Sequence, residues 1–235
     1  MRVDNRFSGG STDAGGELKK IMLVDDHPLL REGLATLIRA VPGLTVTAEV
    51  GSADEAWSAL AREVPDLVLL DISLPGKSGI ELLKDVHARY PQVRVLVLSM
   101  HEESVYAERA LRAGAHGYIM KQEPSAKVVE AVQNVLKGEL YVSSAIAAHM
   151  LKQYVSNKQG GDTRTSIERL SDRELQVFSL IGKGLSTQEV ADQFGLSVKT
   201  IQTYREHIKR KLGLRNATDL IHQATHWVES EKGVG

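Results

Sequence analysis

Between residues 19 and 138 the chain switches repeatedly between two hydrophobic rhythms. Short aliphatic or β-branched runs (KKIMLV, LTVTAEV, DLVLLD, VRVLVLS and HGYIM) alternate with amphipathic stretches at about 27–40, 52–63, 77–90, 102–113 and 124–137. The runs have strand length. Three of them are apolar on both faces, the pattern of strands covered by helices on either side. Five successive β-then-α units predict an α/β fold, a doubly wound five-stranded parallel sheet of the flavodoxin-like kind. A further helix is predicted at 143–155. The polar, glycine-containing SNKQGGDTRTSIE that follows reads as a linker.

Beyond the linker no strand rhythm survives. Three serines open three helical patterns. Ser171 and Ser186 each precede a glutamate by three residues, Glu174 and Glu189, which makes two capping boxes. Ser197 opens VKTIQTYREHIKRKL, and Gly182, Gly184, Gly195 and Gly213 fall at or between helix ends. A last helix is predicted from about Asn216. The expected organisation is a disordered leader at 1–17, an α/β domain at 18–138, a connecting helix and flexible linker at 139–168, and a small all-α domain at 169–230.

Composition changes this picture little. The chain is 42% hydrophobic and 25% charged, with a net charge of −1 and no cysteine. Disulfide and thiolate chemistry are therefore excluded. No apolar run is long enough to span a bilayer, and the N-terminus lacks the apolar segment of a secretory signal. A cytoplasmic protein with no membrane partner is expected. The charge distribution says more than its sum: within 199–215 six Lys and Arg stand against one acid.

Chemistry gathers at the strand ends. In an open parallel sheet, ligands bind beyond the carboxyl ends of the strands at the switch point, here between the first and third strands. The first strand ends in Asp25 and Asp26, and LVLLDISLPGKSG ends the third strand in Asp71. Three carboxylates in one crevice cannot all stay ionised without a cation, and oxygen-only ligation suits Mg²⁺. Ser99 ends the fourth strand and Lys121 follows the fifth. A carboxylate, a divalent metal, a hydroxyl and a lysine form a phosphoryl-transfer constellation with Asp71 as nucleophile. His27 has the simpler reading of a residue at the start of the first helix. No glycine-rich phosphate loop follows the first strand, and Ser73 stands where an aspartate phosphatase carries its acid. An enzyme on this fold is therefore disfavoured.

IMLVDDHPLLREGL, LVLLDISLPGKSG, VLVLS and AGAHGYIMKQ resemble the receiver domain of two-component response regulators over essentially all of 19–138. The resemblance implies that Asp71 is the phosphoacceptor for a sensor histidine kinase. It implies that Asp25, Asp26 and Asp71 hold Mg²⁺ with the backbone carbonyl of Ser73. Ser99 and Tyr118 would form the switch pair, Tyr118 turning inward on phosphorylation.

At 100° per residue, Ile201, Tyr204, Ile208 and Leu212 share one face of the basic helix. Lys199, Thr203, Glu206 and Arg210 lie opposite, with Gln202 and Lys209 on the flank. A short helix, a glycine turn and a longer basic helix make a helix-turn-helix. The stretch from LSDRELQVF to ATDLI resembles a LuxR-type domain, and the whole chain resembles a response regulator of the NarL/FixJ family. By that resemblance Gln202, Thr203 and Glu206 reach base edges of promoter DNA, while Lys199, Lys209, Arg210 and Lys211 hold phosphates. Glu206 either reads a cytosine or pairs with a neighbouring cation. The last helix would form either a dimer contact, giving a homodimer on phosphorylation, or part of the core. His222 and His226, four apart with Glu229 beyond, read as part of that helix and not as a metal site. The competing reading is a constitutive DNA-binding regulator whose receiver no longer accepts phosphate.

Overall fold

The structure is a computed structural model describing residues 17–100, 103–157 and 166–232. The first domain alternates β1 (Lys19–Val24), α1 (Pro28–Arg39), β2 (Leu44–Val50), α2 (Ala53–Arg62), β3 (Leu67–Asp71), α3 (Gly79–Arg89), β4 (Arg94–Ser99), α4 (Glu103–Arg112), β5 (Gly117–Met120) and α5 (Ser125–Lys137). The five strands pair in parallel in the order β2-β1-β3-β4-β5. This is the expected doubly wound sheet, with its switch point between β1 and β3.

Alternation along each strand divides the core in two. Ile21, Leu23, Leu67, Leu69, Leu96 and Leu98 point to one face and pack with α1 and α5. Met22, Val24, Val68, Leu70, Val95 and Val97 point to the other and pack with α2, α3 and α4. β3 is buried at all five positions, which explains why it reads as a continuous apolar run.

A helix α6 (Ser144–Asn157) follows, with Ile146 buried in the cluster beneath α2, α3 and α4, and a 3₁₀ turn (Ser166–Arg169) precedes the second domain. Most of the predicted leader and the centre of the predicted linker lie outside the described residues. The second domain holds α7 (Asp172–Gly182), α8 (Thr187–Phe194), α9 (Val198–Leu212) and α10 (Ala217–Lys232). Both capping boxes form: the Ser171 and Ser186 side chains accept from the backbone of Glu174 and Glu189, whose carboxylates bond back to the serine N–H groups. Gly195 caps α8 at φ +60°, a left-handed conformation natural to glycine, and so makes the sharp turn into α9. In α10, Leu220 and Ala224 are fully buried and Trp227 packs on Phe178 with ring centroids 5.6 Å apart, so these residues belong to the core. Ile221 instead stands 47% exposed.

The apolar cluster beneath α2, α3 and α4 continues without a break into α7, α8, α9 and α10. The two domains are therefore packed together through a shared core. No helix among the described residues is long and apolar enough to cross a membrane.

Candidate functional site: an acidic phosphoacceptor pocket and a basic helix

Register builds the pocket. Val24 pairs with Leu70, so the next residues, Asp25 just beyond β1 and Asp71 at the end of β3, come side by side. Ser99 pairs with Met120, and the Lys121 backbone N–H donates to the Ser99 carbonyl at 2.8 Å, which brings Lys121 to the same end. Asp25, Asp71 and Ser99 are all buried. The Lys121 Nζ lies 2.6 Å from Asp25 Oδ2 and 2.8 Å from Asp71 Oδ2, with its side chain only 2% exposed. The lysine thus bridges two buried carboxylates and offsets the repulsion between them.

Electrostatics follow from this enclosure. Burial drives the Asp71 carboxyl above its usual range, the Asp25 charge adds to that push, and the Lys121 ammonium opposes it. Burial pulls Lys121 down, but the two carboxylates outweigh it, and the lysine titrates above its ordinary value.

The donor set fits a hard divalent cation. Ligand atoms of Asp25, Asp26, His27 and Asp71 lie within 4.8 Å of one another. Asp25 Oδ2 and Asp26 Oδ1 are buried and accept no well-aligned hydrogen bond, although Lys121 Nζ and His27 Nδ1 stand within ion-pair distance. Carboxylate oxygens held in this way are suited to Mg²⁺. His27 is the N-cap of α1, followed by Pro28, as its sequence context suggests; its Nδ1 also lies 2.7 Å from Asp26 Oδ1. The Ser73 N–H donates to Asp71 Oδ1 at 3.1 Å. Tyr118 is 1% exposed, so its ring is already inside, whereas the family resemblance implies an inward turn on phosphorylation.

The basic helix α9 is arranged as its periodicity predicts. Ile201 and Ile208 are fully buried, with Tyr204 and Leu212 packed against them. Lys199, Gln202, Thr203, Glu206 and Arg210 are exposed, and the packed receiver does not cover them. Glu206 pairs with Lys209 at 2.9 Å, which selects the second of its two expected roles in the absence of DNA. Lys211 turns inward: its Nζ lies 2.5 Å from Glu174 Oε2, across to the capping box of α7. Here it ties α9 to α7.

Burial pushes the Glu174 carboxyl up, but Lys211 and the Ser171 backbone and hydroxyl pull harder, and it titrates below the usual glutamate range. A depressed folded value gives a contribution that is complete above the unfolded glutamate value and fades as pH falls through the folded one. Glu174→Gln is therefore expected to destabilise the helical domain by about 1–2 kcal/mol near neutral pH and by much less in acid. Urea unfolding of both proteins at the two pH values measures this difference.

Sequence reasoning missed one group of residues. On α7, Arg173, Gln176 and Ser179 are buried, as is Glu174, and Arg173 and Gln176 reach across the domain boundary. The Gln176 side-chain amide donates to the Ile72 carbonyl at 2.8 Å. The Arg173 guanidinium donates to the Gly76 carbonyl, lies 3.5 Å from the Leu74 carbonyl, and stacks on Phe194 at 4.2 Å. Asp172 binds both Lys84 of α3, at 2.8 Å, and Arg109 of α4, at 3.1 Å. Arg109 also caps the Leu170 and Ile167 carbonyls. The only sequence signal was an unusual density of polar residues beside the apolar stripe of α7.

Comparison with known proteins agrees with this geometry. Residues 21–133 match the response regulator receiver domain, and residues 168–224 match the bacterial regulatory proteins of the luxR family. The transcriptional activator protein ExaE of Pseudomonas putida is 39% identical over 205 residues, covering 87% of this chain and 94% of its own length. The oxygen regulatory protein NreC of Staphylococcus haemolyticus is 32% identical over 208 residues, covering 87% and 96%. A solved LuxR-family response regulator from Aurantimonas sp. SI85-9A1 is 38% identical over 59% of this chain and 99% of its own, with a TM-score of 0.55. The Salmonella typhimurium response regulator RcsB shares the fold at 22% identity, covering 89% and 98%, with a TM-score of 0.63. An acidic pocket at the sheet's switch point and a basic helix-turn-helix, joined in one chain with these relatives, show that the protein belongs to the two-component response regulators with a LuxR-type DNA-binding domain, transcription regulators and not enzymes.

Proposed function

We propose that this regulator is switched by phosphorylation of Asp71, with Mg²⁺, by a sensor histidine kinase in the cytoplasm, and that it then binds promoter DNA as a homodimer. The observation that carries the reading is the convergence of Asp25, Asp26, Asp71, Ser99 and Lys121 at one end of the sheet. When bound by Asp25, Asp26, Asp71 and the Ser73 carbonyl, Mg²⁺ supplies charge neutralisation for the acids and the incoming phosphoryl oxygens. The Asp71 carboxylate attacks the phosphorus of the phosphohistidine. The new P–O bond forms as the P–N bond breaks, and the imidazole leaves with that electron pair. Lys121 then pairs with a phosphoryl oxygen and the Ser99 hydroxyl bonds another, while Tyr118 packs behind Ser99. Catalysis here is positioning and charge, with no covalent chemistry beyond the aspartate itself.

Intact-mass spectrometry after incubation with acetyl phosphate tests this. The wild type should gain one phosphoryl group only with Mg²⁺, and Asp71→Asn should gain none. Phosphate on the variant would overturn the assignment of Asp71.

On DNA, Gln202, Thr203 and Glu206 face the base edges, and Lys199, Lys209, Arg210 and Lys211 stand near the backbone. Glu206 must exchange Lys209 for a base, and Lys211 must leave Glu174, before either acts in this way. Arg210→Ala is expected to weaken binding to all sequences alike and to reduce the salt slope by about one. Filter binding across a salt series measures the slope, and an unchanged slope would remove Arg210 from the phosphate contacts.

The exposed recognition face favours a second reading, a regulator that binds DNA without phosphorylation. Equal DNA affinity of the phosphorylated and unmodified protein would support it. A rise in affinity on phosphorylation, with dimers appearing, supports the switch.

A further inference from the structure

The loop after Asp71 is held from the other domain. The Ile72 carbonyl accepts from Gln176 at 2.8 Å, and the N–H of the same peptide group, on Ser73, donates to Asp71 Oδ1 at 3.1 Å. A trans peptide points its C=O and N–H in opposite directions. One rigid peptide unit therefore bridges a DNA-binding-domain side chain on one side and the phosphoacceptor carboxylate on the other. The next anchors are also on α7 and α8: Arg173 engages the Leu74 and Gly76 carbonyls, and the Gly76 N–H donates to the Phe194 carbonyl at 3.0 Å. The Ile72 and Leu74 side chains are fully buried, so Ser73 stands between two anchored residues, with the peptide before it and the Leu74 carbonyl after it both held from α7.

Arg173 is suited to this role. It is 5% exposed, its guanidinium faces the Leu74 and Gly76 carbonyls, and Gln176 Oε1 accepts from it at 2.9 Å. The guanidinium orients the Gln176 amide toward Ile72 while itself spanning two further carbonyls. Such a chain of polarised groups rigidifies every member.

We propose that Arg173 and Gln176 of the DNA-binding domain are positioning residues of the receiver's metal and phosphoacceptor site, fixing the Ile72–Ser73 peptide and with it Asp71 Oδ1. This rests on the Mg²⁺-dependent phosphoacceptor reading above. It differs from a simple packing interface because it makes the metal affinity of the receiver depend on two residues of the other domain. By linkage, Mg²⁺ then strengthens the packing of the domains by the same factor.

The test is Mg²⁺ titration of the full-length protein by calorimetry, without phosphodonor, for wild type, Arg173→Ala, Arg173→Lys, Gln176→Ala and Asp25→Asn. Circular dichroism checks the fold, and small-angle scattering reports domain separation. Wild type should bind one Mg²⁺ and Asp25→Asn should not. Arg173→Ala should separate the domains and weaken Mg²⁺ about fivefold or more, with Arg173→Lys recovering part of the loss. Gln176→Ala, which leaves Arg173 in place, should weaken Mg²⁺ in the same direction, and it carries the test if Arg173→Ala does not fold. In phosphorylation by acetyl phosphate, the Mg²⁺ concentration for half-maximal rate should rise by the same factor. Separated domains with an unchanged Mg²⁺ affinity would overturn the proposal, as would unchanged domain packing and affinity in both alanine variants. A wild type that binds no Mg²⁺ overturns the metal reading itself, and is distinguished by its identity with Asp25→Asn.

Discussion

Gly79→Ala is expected to destabilise the receiver by about 3 kcal/mol and to displace the loop after Asp71. Gly79 is the first residue of α3, and a Cβ there would stand 2.2 Å from the Asp71 carbonyl oxygen and 2.5 Å from the Ile72 Cα. Both obstacles are backbone, so no side-chain rotation relieves them. The Gly79 N–H also donates to the Ile72 carbonyl at 3.1 Å, which fixes the approach from the helix side. Alanine in a helix would ordinarily gain up to about 1 kcal/mol over glycine. Overpacking of this kind costs about 1–3 kcal/mol, and more where backbone must move. The clash therefore wins. Urea unfolding followed by circular dichroism should show an earlier receiver transition, and phosphoryl uptake at fixed Mg²⁺ should slow. A midpoint equal to wild type would mean that the α3 terminus yields without cost.

Most of the receiver was legible in the sequence because its signals are local. β3 reads as apolar at every position before Asp71 since both of its faces are covered, and each serine cap sits within a turn of the residues it serves. Asp25 and Asp71 are far apart in the chain, yet the parallel topology alone predicts that they meet, and the β1–β3 register shows how. Ile201 and Ile208 are buried as the helical period requires.

What the sequence did not reveal is non-local and carried by groups with no sequence signature. The contacts of Gln176 and Arg173 are to backbone carbonyls of residues 72, 74 and 76, which any residue supplies. A buried arginine on a helix looks, in sequence, like an ordinary solvated one. Lys211 sits in a basic run that suggests DNA, but its neighbour in space is Glu174, 37 positions away in the chain. In α10 the apolar side extends further in sequence than in space: Leu220 and Ala224 are buried and Trp227 packs on Phe178, while Ile221 remains at the surface. The packed domains also leave Lys199, Gln202, Thr203, Glu206 and Arg210 of α9 uncovered, so the surface proposed to meet DNA is separate from the domain-packing surface.

Lys121 lies in neither of these surfaces, and its buried ion pairs with Asp25 and Asp71 bear on stability instead. Lys121→Met, measured without divalent metal, is expected to lower stability by about 3 kcal/mol, because removing one partner of a buried ionic cluster strands the others. Here the stranded groups are Asp25 and Asp71, whose Oδ2 atoms both lie within 2.8 Å of the same ammonium, in a site where the lysine side chain is 2% exposed. Methionine fills much of the volume, so cavity formation contributes little and the loss is electrostatic. Mg²⁺ brings opposite charge to the same carboxylates, and a ligand that binds only the folded state raises its stability by mass action. The increment in melting temperature on adding Mg²⁺ should therefore be larger for Lys121→Met than for the wild type. A larger increment identifies the lysine as the cluster's standing counter-charge in the metal-free protein. Equal increments, with no loss of stability in metal-free buffer, would mean that the two aspartates relieve their repulsion without it.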